Sequence, residues 1–167
     1  QRQRDQIILA ETFQRIAMTT AGKSGVLAQP VLLARLASPD QASPVRRGVF
    51  VFDRLLCQAL PLPPPDLNIT PPAPKPGATT RERFAAHGAS AGCSSCHSRI
   101  DPMGFGFEHF DGMGLWRDME EGKPIDAKGS IVATRDAELR GDFDGVGELA
   151  AKLSKSKQVH DCVSAEW

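Results

Sequence analysis

Tyrosine is absent from this chain of 167 residues, and aromatic residues make up only 6% of it. Acidic and basic residues balance to a formal net charge of zero, which gives no support for binding to nucleic acid or to an anionic membrane surface. No apolar run approaches the roughly 18–20 residues that cross a bilayer, so we expect no membrane span in this chain. The length and the ordinary apolar content predict one globular domain.

Cysteine is also scarce, with four residues, but two of them belong to the most informative motif of the chain. Cys93, Cys96 and His97 read C-x-x-C-H, the attachment signal for c-type haem. Thiols three residues apart lie on one side of a helical turn, where both can add to the vinyl groups along one porphyrin edge. The motif predicts one covalent haem c with His97 as the proximal iron ligand. We expect a backbone carbonyl near Asp101-Pro102 to accept from the other ring nitrogen.

A C-x-x-C pair also occurs in zinc sites and in thiol redox centres, so both alternatives stay open. A zinc site needs two more ligands, and the sequence contains no second C-x-x-C and no H-x-x-x-H. A thioredoxin-like pair belongs to a βαβ unit, which the surrounding pattern does not predict. We therefore favour haem, which would also supply bulky apolar surface to a chain with few aromatic residues.

The motif carries information about the compartment. Haem c is attached outside the bacterial cytoplasm, so we expect a periplasmic or extracellular protein, where disulfides persist. Cys57 and Cys162 are left over as an even pair, which favours a disulfide that closes a long loop. Two buried free thiols are the alternative. The chain begins at Gln1 and shows no signal peptide, which is typical of a fragment or a processed product.

We predict a mainly α fold: a cytochrome c-like helical haem domain with a long Pro-rich coil and a small β-hairpin. Residues 1–60 form an N-terminal helical segment, 61–78 a Pro-rich connector, and 79–167 the haem-binding domain, packed as one unit with 1–60. Thr79 followed by Glu82 is a capping box at the start of a helix. Periodicity and stop signals predict helices over 3–20, 30–37, 45–60, 80–88, 92–100, 145–155 and 156–166. Within 45–60, the run VFVF at 49–52 taken alone would also suit a strand.

Proline and glycine mark the segments between these helices. Eight prolines between 61 and 76 exclude a helix or a central strand and predict polyproline II. We interpret this segment as a stiff connector, with a docking ligand for another protein as the alternative. Pro102 is expected to end the motif helix, and 124–131 to form a hairpin with its turn near Lys128-Gly129.

The segment 103–118 follows the motif and contains four glycines, which allow backbone to lie close to a flat ligand. Its Arg117 matches the geometry of a haem propionate. Asp111 and Glu108 are either catalytic carboxylates or, in the simpler interpretation, caps of the loop. The aromatic side chains expected to pack on the porphyrin are Phe105, Phe107, Phe110 and Trp116. Alternatives to Arg117 are Arg81, Arg83 and Arg99.

Five stretches of the chain together resemble the C-terminal haem region of large bacterial proteins, the planctomycete-type cytochromes. The block at 93–117 is long and specific, with the pattern C-x-x-C-H…DPxGFxxExFDxxGxWR. The resemblance covers roughly residues 22–167 and implies an exported c-type haem protein with a redox role and no settled substrate. The stretches are SPVRRGVF at 43–50, Cys57 before the Pro-rich run, TTRERFAAH at 79–87, CSSCHSRIDPMGFGFEHFDGMGLWR at 93–117 and PIDAKGSI at 124–131.

The sixth iron position has several candidate ligands. His87 stands six residues before Cys93, and a histidine is common at this point in the resembling family, so His87 is the first candidate. Met113 and Met103 are alternatives, and methionine would raise the reduction potential relative to a second histidine. A surface position is the other interpretation of His87, and simple packing that of both methionines. Less favoured ligands are Met119, Met18, His109 and His160.

Electron transfer is the leading functional hypothesis, because one six-coordinate haem carries one electron at a time. A haem-based redox enzyme, such as a peroxidase or an oxidase, is the alternative. It requires an open sixth position and a distal acid–base residue. A haem-bearing structural module of a larger assembly is a third hypothesis. The expected partners are a redox protein or other cytochrome subunits, in a homo- or hetero-assembly, and no nucleic acid.

Overall fold

The computed structural model describes residues 25–65, 69–90 and 92–166, so the helix predicted over 3–20 lies outside the described residues. Within these ranges the fold is mainly α, as predicted, with two small antiparallel strand pairs. The helices are α1 (Pro30–Arg35), α2 (Pro44–Phe50), α3 (Thr80–Gly88), α4 (Ser94–Gly104), α5 (Gly145–Leu153) and α6 (Lys157–Glu166). The strands are β1 (Met119–Glu120), β2 (Lys123–Pro124), β3 (Lys128–Ile131) and β4 (Gly141–Asp144). Short 3₁₀ turns span Gly25–Ala28, Phe105–Phe107 and Ala137–Leu139.

The helix predicted over 45–60 is shorter and changes its geometry. Ser43 caps α2, accepting from the Arg46 amide at 3.3 Å. After Phe50 the chain widens into a π-helical turn, Val51–Leu55, in which the Leu56 amide donates to the Val51 carbonyl at 3.0 Å. This wider turn ends the helix before Cys57, which has a left-handed φ of 47°.

Two glycines let α2 and α4 cross with their backbones in contact. A Cβ atom on Gly48 would lie 2.1 Å from the Ile100 carbonyl oxygen, and one on Gly104 would lie 2.0 Å from the Pro44 carbonyl oxygen. No larger residue fits at either position without a backbone shift. The crossing holds α4 against the main apolar core, which includes Leu33, Val51, Phe52, Leu56, Ile100, Met103, Phe107, Phe110, Ile131, Phe143, Leu149 and Leu153.

The expected end of the motif helix at Pro102 is wrong. α4 continues through Pro102 to Gly104, with Met103 fully buried. Proline removes one helical hydrogen bond, and here the packing of Met103 and Gly104 against the core outweighs that loss.

The fold contains a small β-hairpin, as predicted, but the expected position of this hairpin at 124–131 is wrong. β1 pairs with β2 through a two-residue turn at Glu121-Gly122. The φ angles of these residues are 50° and 74°, and a two-residue hairpin turn requires such positive values. Lys128 and Gly129 lie inside β3, opposite Asp144 and Phe143 of β4. A Cβ on residue 129 would lie 2.2 Å from the Pro102 carbonyl oxygen, so this glycine marks a close contact instead of a turn.

Several long-range links join the chain's outer segments to this core. A disulfide joins Cys57 to Cys162 of α6, with Cα atoms 5.6 Å apart. The Pro-rich segment has no regular element within its described part, and its Pro72 carbonyl accepts from Gln41 at 2.8 Å.

None of the described helices is long and apolar enough to cross a membrane.

Candidate haem attachment site

The C-x-x-C-H motif lies where α3 ends and α4 begins. The predicted capping box starts α3: the Thr79 hydroxyl accepts from the Glu82 amide, and the Glu82 carboxylate accepts from the Thr79 amide at 2.8 Å. The last residue of α3, Gly88, packs directly on α4. A Cβ atom there would lie 2.8 Å from the Asp101 carboxylate and 3.1 Å from the His97 Cβ. This contact brings the C-terminal end of α3 to His97.

Cys93 and Cys96 are free thiols at the start of α4. Cys93 is buried, Cys96 is half-buried, and the His97 amide donates to the Cys93 carbonyl at 3.1 Å, which sets the first helical turn. The Cys93 sulfur lies 4.0 Å from Nε2 of His87. Both motif thiols are therefore unbridged, whereas the other two cysteines of the chain are bonded to each other.

The His97 imidazole is oriented by a carboxylate. Its Nδ1 lies 2.9 Å and 3.0 Å from the two carboxylate oxygens of Asp101, which is only 5% exposed. A carboxylate accepts hydrogen bonds, so Nδ1 carries the hydrogen and Nε2 keeps its lone pair for a metal. The expected acceptor, a backbone carbonyl, is wrong. The sequence does contain a signal for this contact, because His97 and Asp101 are four residues apart and therefore lie on one face of the helix.

Of the predicted sixth ligands, His87 is the one that the structure brings against His97. The two imidazole centroids are 5.3 Å apart, with their planes at 75°. Met103 is fully buried within the core cluster. Met113 is 69% exposed on the loop that follows α4.

The four aromatic residues expected on the porphyrin have partners within the protein. Phe107 and Phe110 belong to the main apolar core. Phe105 lies under the Arg81 guanidinium, 4.4 Å from the ring centroid. Trp116 is 45% exposed and stacks on His109 with centroids 4.3 Å apart. Packing of these side chains on a porphyrin stays a prediction.

Arg117 binds carboxylates of this chain. Its Nη1 lies 2.8 Å from Glu120, its Nη2 lies 3.4 Å from Glu108, and its Nε donates to the Glu108 carbonyl at 2.9 Å. Asp111 acts as a loop cap, one of the two roles considered for it, because its Oδ1 accepts from the amides of Met113 and Leu115 at 2.8 and 2.9 Å. A propionate pairing of Arg117 stays a prediction.

Arg47 is a structural residue that the sequence analysis missed. It is fully buried and donates to the carbonyls of Phe107, Phe110 and Asp111 at 3.1, 2.7 and 2.6 Å. Burial lowers its pKa to about 10. It therefore holds the turn after α4 from the side of α2. The sequence offers one signal for the burial of Arg47: it stands four residues before Val51 and so lies on the apolar face of the helix.

Comparison with known proteins identifies the family. A family model described as PSCyt3, a protein of unknown function (DUF1588), matches residues 23–120, more than half of the chain. The chain belongs to the PSCyt3 family. The name suggests a planctomycete-type cytochrome, and hence haem binding. The PSCyt3 range includes His87 and the whole C-x-x-C-H motif. No curated protein and no solved structure matches the chain significantly.

Among residues 25–65, 69–90 and 92–166, no group of three or more His, Cys, Asp and Glu side chains is arranged to hold a metal ion. The donor set at the C-x-x-C-H motif instead consists of two free thiols and one imidazole whose Nδ1 is bonded to Asp101. This donor chemistry fits haem c.

Proposed function

We propose that this protein is a c-type cytochrome that transfers electrons in the bacterial cell envelope or outside the cell. One haem c would be held by thioether bonds from Cys93 and Cys96, with His97 as its proximal ligand. The observation that carries the proposal is the hydrogen bond from His97 Nδ1 to the buried Asp101 carboxylate, next to two free thiols. This arrangement fixes the tautomer that an iron ligand needs.

The residues of the chain have separate tasks in this proposal. When bound, the haem supplies an iron that accepts and releases one electron at a time. Cys93 and Cys96 attach it irreversibly, and Asp101 orients the imidazole and makes Nε2 a stronger donor. The close contact of Gly88 with α4 keeps the end of α3 over the motif.

His87 is the proposed sixth ligand. Its ring contacts the His97 ring, and its Nε2 is 4.0 Å from the Cys93 sulfur, which supports a position beside the attachment site. Two histidine ligands would leave no open iron position, which favours an electron carrier over a peroxidase or an oxidase. The burial of Met103 and the exposure of Met113 count against these alternatives.

The wider organisation is part of the same proposal. Residues 79–167 would form the haem-binding part, packed as one unit with 1–60 and joined to it by the Pro-rich connector 61–78. The close α2–α4 crossing supports the packing. A redox protein or further cytochrome subunits would be the partners, and size-exclusion chromatography of native material would show whether they form an assembly with it.

Intact mass and a pyridine haemochrome spectrum of the exported protein test the haem proposal. We expect one porphyrin added to the polypeptide mass and the spectrum of a porphyrin with two saturated thioether links. The double variant Cys93→Ser/Cys96→Ser is the matched control and should carry no covalent haem. A colourless wild-type protein with the mass of the bare polypeptide contradicts the proposal, and metal analysis of it would then test the zinc alternative.

His87→Ala tests the sixth ligand. We expect the ferric visible spectrum to change from low spin to high spin, because the iron loses a strong-field nitrogen ligand. His109→Ala removes an imidazole that stacks on Trp116, and its spectrum should stay low spin. A low-spin His87→Ala protein would rule out His87, and carbon monoxide binding to the reduced wild type would favour the enzyme alternative.

A further inference from the structure

Glu108 is a buried carboxylate with an unmet hydrogen-bonding requirement. Its side chain is 1% exposed, and its Oε1 has no hydrogen-bond partner among the described residues. Its Oε2 has one long contact, 3.4 Å to Nη2 of Arg117. Burial raises the pKa of Glu108 to about 7, although Arg117 and Arg47 oppose the shift. The carboxylate therefore exists in both charge states near neutral pH.

A cavity beside α3 reaches the side chain of Glu108. Its volume is about 260 Å³, which exceeds the roughly 30 Å³ that one water occupies in the liquid. Its walls are the side of α3 that carries Arg81, Glu82 and Ala85, the strand pair β1–β2 with the residues that follow it, and Glu108. Charged residues on these walls include Arg81, Glu82, Glu120, Lys123 and Asp126. Glu108 forms part of the wall of this cavity, so water that fills the cavity lies next to its side chain, while Oε1 itself is buried.

Short contacts link Glu108 to the start of α3. Arg117 bridges Glu108 to Glu120, with its shorter contact, 2.8 Å, on Glu120. Glu120 then accepts from the Thr80 amide at 2.8 Å and from the Thr80 hydroxyl at 2.6 Å. Burial raises the pKa of Glu120, but the hydrogen bonds from Thr80 and the charge of Arg117 outweigh it and lower the pKa overall. Glu120 thus stays ionised while Glu108 titrates.

All charged groups that act on Glu108 belong to elements packed around it. Arg47 reaches it from α2, Arg81 from α3, and Arg117 and Glu120 from the segment that leads into β1. Arg81 lies on α3 and donates to the Lys128 carbonyl at 2.6 Å. Two of the four groups therefore also hold α3 in place, Arg81 directly and Glu120 through Thr80.

We propose that Glu108 is a proton-dependent positioning residue for α3, and through α3 for His87. The part that concerns His87 rests on the proposed function. When Glu108 is ionised, it competes with Glu120 for Arg117 and attracts water from the cavity beside α3. When Oε1 takes up one proton from bulk solvent, Glu108 becomes neutral and Arg117 pairs with Glu120 alone, whose bonds to Thr80 hold the N-terminus of the helix. α3 is then held more firmly.

Hydrogen exchange of the purified protein measures this coupling. After correction for the chemical exchange rate, protection of amides in 80–88 should fall about tenfold as the pH rises through 7, the equivalent of a one-unit pKa difference between closed and open α3. Glu108→Gln should keep the low-pH protection at every pH. Glu138→Gln removes an exposed carboxylate from a different part of the chain and should behave as wild type.

Carboxyl ¹³C NMR of the wild type follows the protonation of Glu108 without any substitution. This measurement therefore does not depend on whether a variant folds. A Glu108 that titrates near its unperturbed pKa of about 4.3 overturns the proposal. So does protection of α3 that is independent of pH, or a pH dependence that Glu108→Gln retains.

The rate at which cyanide binds the ferric iron separates this proposal from the haem proposal. At saturating cyanide, where release of His87 limits the rate, the rate should rise with pH in the wild type and stay constant in Glu108→Gln. A constant rate in both proteins overturns the extension to His87. A protein without haem whose α3 still responds to Glu108 refutes the haem proposal and supports the role of Glu108 in α3.

Discussion

The hydrogen bond between His97 and Asp101 decides which ring nitrogen is free. A carboxylate acceptor also places negative charge next to the imidazole, which stabilises the more positive, oxidised state of a bound iron. Asp101 is buried between α4 and the end of α3, so water screens this charge little. In the proposed cytochrome, Asp101 would therefore set the reduction potential of the iron as well as the orientation of His97.

Asp101→Asn tests this role, because it keeps a hydrogen-bond acceptor and removes the charge. We expect a low-spin protein whose midpoint potential is higher by about 60 mV, equivalent to a tenfold change in a one-electron equilibrium. Spectroelectrochemical titration measures the shift. Asp118→Asn, in which the side chain is 78% exposed, should change the potential little. Equal potentials for wild type and Asp101→Asn would exclude the electrostatic role.

The sequence predicts single site residues well where the information is local. C-x-x-C-H is a contiguous motif, and the cap at Asp111 depends on amides two and four residues away. The burial of Glu108 depends on α2, α3 and β1 together, and no local pattern encodes that packing. For the fully buried Arg47, the sequence predicts the helix face on which it lies. It does not predict the carbonyl groups that Arg47 binds, because they are 60 or more residues away.

At the scale of elements, α2 and α4 depend on two glycines at their crossing. Gly104→Ala would place a methyl group 2.0 Å from the Pro44 carbonyl oxygen, which only a backbone shift can relieve. We expect a loss of about 3 kcal/mol in the free energy of unfolding, at the upper end for overpacked sites. Urea denaturation measures it.

Ser98→Ala on the exposed side of α4 is the control for this prediction and should change stability by less than about 0.5 kcal/mol. A Gly104→Ala protein as stable as wild type would show that the two helices separate easily. Its haem content should also be measured, because α4 carries the attachment motif.

Elements with strong local signals were predicted closely, and those that depend on distant contacts were not. The capping box predicted α3 with its observed bounds, 80–88. In contrast, Gly129 was interpreted as a turn residue, whereas it lies in β3 because the Pro102 carbonyl and the Phe143 ring leave no room for a side chain. The π-helical turn before Cys57 has no comparable signature in the sequence.

At the scale of the whole molecule, the range of the family match stops before α5 and α6, but contacts join these helices to it. Gln158 of α6 donates to the Leu56 carbonyl at 2.6 Å, and Arg135 donates to the Cys57 carbonyl at 2.9 Å. The disulfide between Cys57 and Cys162 adds a covalent link between two residues that are 105 apart in the sequence. The C-terminal helices are thus tied to the end of the π-helical turn.

Removal of the disulfide tests how much this connection contributes. In the chain-entropy model, a loop of about 100 residues restricts the unfolded chain by an amount equivalent to about 4–5 kcal/mol. Cys57→Ser/Cys162→Ser should therefore have a lower thermal midpoint than wild type, and reductant should not lower it further. Cys93→Ser/Cys96→Ser retains the disulfide, so its midpoint should still fall when reductant is added. Equal midpoints of the wild type with and without reductant would show that the C-terminal helices are held by packing and hydrogen bonds alone.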